Sequence, residues 1–420
     1  MRKKKETLLI DYTHQHRFSI SSSGQKIFAL NSRKGLLKNS INSTEIISES
    51  KEFATINQVE EYIHTNKANI TFDKINKTQF MAGKILRDNQ LLLDTLEKLG
   101  LYKWELISKN KSINRYVIDK DSQCKKNIFN HFSHSINFKL FANSKTIELG
   151  VGSTDFSKIN RDGLTFRLKD IVNNNRDAKK IRFKDKVPIV LDSGDGGILF
   201  HEIIGHSLEA DYIVQKLSPF SINNIGEEIF PKALTVNTFD GKDLFFAGLS
   251  SDDEGSVINT KELITDGRLN GILSDNFHKD ILQLNSAGYA RVEDFTKLYQ
   301  PRMHSLFIKP GKFNHNDIIE SVNYGVFVKE FDEGKVFFAN NTFSLSVKES
   351  YLIEKGRITA PLGSIIIRGN IREVLNSITM IGNNFRYDRG VSYCYKNGQT
   401  LNVRVGQPTV KVEGIIISET

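Results

Sequence analysis

Apolar residues along this chain follow two kinds of spacing, and the kind changes near residue 185. Within residues 79–99, Phe80, Ile85, Leu91, Leu92, Leu93, Leu96 and Leu99 recur near the spacing of one helix face. Residues 56–66 read as a second helix. Residues 138–141 and 146–151 carry the short apolar runs of strands. The first 185 residues therefore predict a mixed α+β domain. A charged connector at 180–186 leads into Val187-Pro188-Ile189-Val190-Leu191, an apolar run with the look of a buried strand. From about Leu234 onward the pattern is strand-like. Residues 263–273 read as a hairpin around Asp266-Gly267, and residues 351–358 as another. Strands are also predicted at 364–368 and 409–417, with helices at 314–324 and 371–381. The expected fold class is α+β: a mixed domain over 1–185, then a β-rich, metal-binding domain over 186–420.

The chemistry begins just after the Val187–Leu191 run. Asp192-Ser193-Gly194-Asp195-Gly196-Gly197 is a glycine-rich turn without the Gly-Lys-Ser/Thr ending of a phosphate loop. It reads as a tight turn aiming the next helix. That helix is apolar (Ile198, Leu199, Phe200, Ile203, Ile204, Leu208) but contains His201, Glu202 and His206. Placing such groups in a core costs several kcal/mol unless they are paired or bind a metal. The two histidines are five residues apart, not the four of H-E-x-x-H. On a regular helix that spacing turns them roughly 140° apart instead of about 40°. One metal could take both only if the helix widens, as a π-bulge does, and Gly205 is the natural place. Glu209 and Asp211 follow in the same run. They could orient a histidine N–H or a substrate amine.

A catalytic zinc needs a third protein ligand and an open position. Cys394, beside Lys396 in a polar, glycine-bearing segment, is a remote candidate. The alternative is a small buried hydrophobe. Arg291 and Arg302 could bind a peptide carboxylate or form structural ion pairs. Asp252-Asp253-Glu254 lacks calcium-loop spacing and reads as a turn. Cys124 reads as a passive core thiol, and His278 and His304 as solvent or core groups.

Composition narrows the classes. The chain has 420 residues, enough for two domains, with a net charge of +9. Basic residues are dispersed and no recognised module is present, so nucleic-acid binding is not expected. No apolar stretch reaches membrane-span length, and the polar 6–17 segment does not suit a signal peptide. Two cysteines far apart suit free thiols in a reducing cytoplasm. Asn42-Ser43-Thr44 then carries no glycosylation meaning.

His201-Glu202-Ile203-Ile204-Gly205-His206-Ser207-Leu208-Glu209-Ala210-Asp211 resembles the zinc motif of the TldD metalloproteases, in the TldD/PmbA (modulator of DNA gyrase) family. The resemblance continues at Asp252-Asp253-Glu254-Gly255, Pro301-Arg302-Met303, residues 319–326 and 349–356, and Val405-Gly406-Gln407-Pro408-Thr409. It covers roughly 185–420, and the first part diverges from the family's usual N-terminal domain. It implies zinc held by His201, His206 and Cys394, with Glu202 as the base that takes a proton from water. It further implies a peptidase acting on unfolded peptides, such as leader segments of ribosomally made peptides, held as an added strand. The expected partner is a TldE/PmbA-type subunit in a heterodimer, with a homodimer as the alternative. Where this chain has Tyr395 the family has glycine, so the pocket rim is expected to differ. The rival readings are a non-catalytic peptide-binding subunit and a scaffold with a structural zinc.

Overall fold

The computed structural model describes residues 5–41, 46–52, 87–119, 124–141, 146–238, 246, 249–258 and 262–419. The expected 56–66 helix and the start of the 79–99 segment lie outside these residues. The remainder of that segment forms α1 (Gln90–Lys98). Leu92, Leu93 and Leu96 are buried on it, while Leu91 points to solvent.

The N-terminal half is dominated by a six-stranded antiparallel sheet, far more extensive than the two short strands expected. Its strands are β1 (Lys5–Ser21), β2 (Lys26–Ile41), β3 (Ile46–Glu52), β4 (Lys103–Asp119), β5 (Cys124–Lys139) and β6 (Ile147–Ser153), in the order β3-β2-β1-β4-β5-β6. A 17-residue strand such as β4 spans about 55 Å at about 3.3 Å per residue. Side chains alternate between the faces, so β4 and β5 serve two cores. Trp104, Leu106, Ile136 and Phe138 pack under α1 and α2 (Arg161–Arg176). On the other face Phe129 joins Phe246 and Ile258 from the C-terminal half. Val117 likewise joins Val292, Phe295 and Tyr299.

The C-terminal half is built on a closed ring of strands. These are β7 (Val187–Leu191), β8 (Tyr324–Phe337), β9 (Thr342–Glu354), β10 (Arg357–Pro361), β11 (Ile365–Asn370), β12 (Ile378–Ile381) and, at the end of the chain, Val410–Glu419. The pairing runs β8, β7, 410–419, β11, β9 and back to β8. Its interior is apolar, with Ile189, Leu191, Val326, Leu345, Ile367 and Val412 fully buried. The predicted hairpins around Asp266 and Lys355 are present, and both residues adopt positive φ. One expectation is corrected: residues 371–381 do not form one helix. The helix stops after Ile371–Asn376, and Ile378–Ile381 pairs with the 410–419 strand. Its apolar residues satisfy either period, and sheet pairing decides.

Candidate metal centre

The site hangs from the C-terminal end of β7. Gly194 turns the chain at φ +84°, a left-handed value that suits glycine. A single 3-10 turn (Asp195–Gly197) and a short α-turn (Ile198–Phe200) follow. His201–Gly205 is then a π-helix, with the His206 N–H bonded to the His201 carbonyl. This is the widened turn that the five-residue spacing requires. Gly205 has ordinary helical φ and ψ there, and it is packing that requires glycine: a Cβ would lie 1.9 Å from Met303 Sδ.

Widening brings the imidazoles onto one side. The His201 and His206 ring centroids are 5.0 Å apart. Cys394, on the strand Tyr393–Lys396, completes the group: one ligand atom from each of the three residues lies within 4.8 Å of the others. Cys394 Sγ is 3.2 Å from His206 Nε2. Two ligands of one tetrahedral zinc, with bonds of about 2.0 and 2.3 Å, sit about 3.5 Å apart. All three residues are buried, and among the described residues neither ring nitrogen of His201 has a hydrogen-bond partner. A buried imidazole left so is costly, and a metal would satisfy it. The donor set therefore fits a zinc-type ion.

The charges within the group act strongly on one another. Burial would raise the Cys394 thiol, but the His206 and His201 imidazoles outweigh it and hold it well below its ordinary range. Burial would lower His206, yet the Cys394 and Glu209 charges hold it well above. Glu202 is half-buried on the floor of the adjoining cleft, and burial raises its carboxyl. Strand β8 crosses directly over it, since a Cβ on Gly334 would lie 2.9 Å from Glu202 Cγ. The cleft encloses about 760 Å³.

The residues expected to touch substrate sit behind the group. None of Glu209, Asp211, Arg291 and Arg302 lines the cleft. Glu209 Oε2 accepts from His206 Nδ1 at 2.8 Å, which fixes that ring with Nε2 toward Cys394. Lys396, which the sequence marks only as a neighbour of Cys394, donates from Nζ to Glu209 and Asp211 at 2.8 Å each. Both carboxylates are buried with it. Arg302, fully buried, donates from Nη2 to the Cys394 carbonyl at 2.6 Å. Arg291 donates to the carbonyls of Met303 and Asn402. These side chains brace the ligands and the hairpin carrying Cys394. The alternation Cys394, Lys396 on one strand face, matched to Glu209 and Asp211, is the signal that could have found the lysine.

The N-terminal sheet buttresses the same hairpin. The Gly152 N–H bonds the Arg389 carbonyl at 2.8 Å, and His131 Nε2 meets the Gly390 carbonyl at 2.7 Å. A Cβ at Gly152 would lie 2.0 Å from that carbonyl oxygen, so the approach requires glycine. Asp253 caps the Val292 N–H and pairs with Arg115 of β4, so the acidic turn is structural. Cys124 corrects another expectation: it is exposed at the start of β5, not in a core. His278 bonds Asp275, and His304 is buried among aromatic rings.

A buried His-His-Cys group with a carboxylate beside it, on a widened helix, is the donor arrangement of a metallohydrolase. Residues 184–419 match the PmbA/TldA metallopeptidase C-terminal domain, and the chain belongs to that family. It is 36% identical over 234 residues to a metalloprotease TldD homolog of Buchnera aphidicola subsp. Acyrthosiphon pisum, a match covering 56% of this chain and 48% of the relative. A zinc metalloprotease TldD homolog of Saccharolobus solfataricus is 31% identical over 229 residues, covering 54% of this chain and 50% of the relative. The chain thus matches about half the length of these curated relatives. In fold it resembles TldE from Thermococcus kodakarensis, with a TM-score of 0.76 at 15% identity, over 99% of this chain and 96% of that one.

Proposed function

We propose that this chain is a zinc-dependent peptidase acting on unstructured peptides. The observation that carries the reading is the convergence of His201, His206 and Cys394 beside an open cleft floored by Glu202. Zinc would be held by those three residues, leaving one position for substrate or water. When bound, it would supply Lewis acidity toward a peptide carbonyl and an attacking water. Glu202 takes the proton from that water on its carboxylate and delivers it to the leaving amine. Burial, which raises this carboxyl, suits a group that must both accept and return a proton.

Strand geometry supports an extended substrate. β8 pairs with β7 only over Val326–Val328, so among the described strands its continuation across Glu202 pairs with β9 alone. A peptide could add there by main-chain hydrogen bonds. Folded proteins cannot present such a strand. We read residues 1–185 as a divergent N-terminal domain that braces the Cys394 hairpin, and residues 186–420 as the metal-binding domain. Leader segments of modified peptides are a fitting substrate class. A TldE-type subunit, or a second copy, would be the partner. Both cysteines are free, as a reducing cytoplasm would have them, and no helix among the described residues is long and apolar enough to cross a membrane.

The test is Glu202→Gln. Zinc content should stay at the wild-type level while hydrolysis of an unstructured peptide falls by about two to four orders of magnitude. A normal rate would refute the general-base role, and loss of zinc would make Glu202 a ligand.

A further inference from the structure

We infer that the cleft selects extended peptides in which a basic side chain accompanies an aromatic or large apolar one. This rests on the peptidase reading and names its substrate class. The chain as a whole carries +9, yet the cleft reverses that sign. Its lining carboxylates are Glu148, Asp195, Glu202, Glu330, Asp332 and Glu333. Only Lys335 and Lys348 oppose them among the lining residues. Two of the acids are internally balanced: Glu330 pairs with Arg167, Lys348 and Arg389, and Asp195 pairs with Arg389. Of the other four, Glu202 lies half-buried at the floor, while Glu148 on β6 and Asp332 and Glu333 on β8 are exposed. A concave, acid-lined surface focuses its field on a bound ligand, so these carboxylates favour cationic peptides.

The same rim carries exposed aromatic rings. Tyr393 and Tyr395 are 48% and 73% exposed, and they project from one face of the strand whose other face buries Cys394 and Lys396. Also lining the cleft, Phe337 is 48% exposed, and Tyr212 packs on Phe338 at 4.2 Å between ring centroids. Exposed rings clustered around a cleft are better covered than wet, and a ring or long aliphatic side chain fits between such walls. Rings and acids lining the same cleft provide for a lysine or arginine together with an aromatic residue.

The experiment measures binding of labelled, unstructured peptides to the zinc-loaded Glu202→Gln chain by fluorescence anisotropy. The peptides differ only at two positions, carrying Lys with Phe, Glu with Phe, or Lys with Ala. The Lys-Phe peptide should bind about tenfold more tightly than the Glu-Phe peptide at low salt, and the gap should shrink as salt rises. Adding Glu148→Gln and Glu333→Gln should reduce that preference to about twofold, the scale left when exposed charge pairs are removed. Tyr395→Gly should erase most of the advantage of Phe over Ala while leaving the charge preference. Equal binding of the Lys and Glu peptides, or a preference that survives the double substitution, overturns the inference. Failure of the peptidase reading looks different: the preference persists, but the wild-type chain cleaves none of the peptides it binds.

Discussion

Each half of the molecule buries a pair of histidines, and the two pairs are handled in opposite ways. In β5, His134 is 1% exposed, with Nδ1 2.6 Å from Ser108 Oγ and Nε2 accepting from Arg161 at 3.3 Å. His131 is 2% exposed and bonds the Gly390 carbonyl. Burial depresses these two, to about 3 and about 4 respectively. They are neutral and structural. In the metal centre, His206 is also buried but faces a thiol and a carboxylate, and among the described residues the ring nitrogens of His201 make no hydrogen bond and lie beside the Cys394 thiol. Burial alone therefore says little about a histidine. The charge and completeness of its surroundings separate a core residue from a ligand.

The comparison is tested most severely at the cysteines. Cys394→Ala removes a thiolate from the C-terminal group, whereas Cys124→Ala removes an exposed thiol from the N-terminal sheet. Zinc affinity should fall in Cys394→Ala by more than the 10- to 100-fold, roughly, that loss of an outer hydrogen-bond partner costs. It should be unchanged in Cys124→Ala. Because a metal bound only by the folded state stabilises it, a chelator should lower the melting temperature of wild type and Cys124→Ala but not of Cys394→Ala. Equal zinc content by elemental analysis in the two variants would remove Cys394 from the ligand set.

A second test concerns the charge behind His206. Lys396→Ala would leave Glu209 and Asp211 buried beside each other without their shared cation. Breaking a buried pair from one side costs about 3–5 kcal/mol. Urea denaturation of the chelated protein should show that loss, so that metal binding does not obscure it. A change under about 1 kcal/mol, the scale of a surface pair, would mean that the carboxylates are relieved in another way.

The N-terminal pair predicts a pH effect with a definite sign. His131 and His134 have folded values below the unfolded value of about 6.5, so the unfolded chain binds more protons between those limits. Their contribution is fully present above about pH 6.5 and is lost as pH falls toward the folded values. At pH 5 the loss is about 2 kcal/mol for each histidine. Hydrogen exchange should therefore accelerate in β4 and β5 as pH drops from 7 to 5, after correction for intrinsic rates. Replacing both residues with glutamine should flatten that dependence. Unchanged protection in β4 and β5 over this range would show that the two imidazoles are not held neutral.

Legibility differed between the halves for physical reasons. The β7 run, the glycine turn, the widened histidine helix and the hairpins were readable because their local chemistry agrees with their final packing. Even the π-turn was legible, from the spacing together with the premise that both histidines hold one metal. The long sheet was not readable. β5 places Ile136 and Phe138 under the helices and Asn127, His131, Ser133 and Ser135 against the C-terminal half, so polar residues are buried and the alternation blurs. At the site, local sequence supplied His201, Glu202 and His206. Local residues left Cys394, some 190 positions away, between a ligand and a small buried hydrophobe, and family resemblance decided between them. Lys396 was legible only as a neighbour of Cys394 because its partners are distant in sequence, and residue type left Arg291 and Arg302 between a carboxylate-binding and a structural reading because burial cannot be read from it.

The smallest predicted effect sharpens the contrast between bracing and binding. α2 starts at Asn160, whose Oδ1 accepts the Gly163 N–H at 2.8 Å. The helix buries Leu164, Leu168, Ile171 and Val172 on the sheet, and through Arg167 it reaches Glu330 and Glu349 of the C-terminal half. Asn160→Ala removes a cap and should cost about 1 kcal/mol. The loss should register in the N-terminal sheet as faster exchange in α2 and β6. Zinc affinity should hold, because the His206 ring and the Cys394 carbonyl are held by Glu209 and Arg302 and not by α2. If the cap variant instead weakens zinc in step with its lost stability, the two halves form one cooperative unit, and the N-terminal sheet determines the metal centre as much as the residues behind it do.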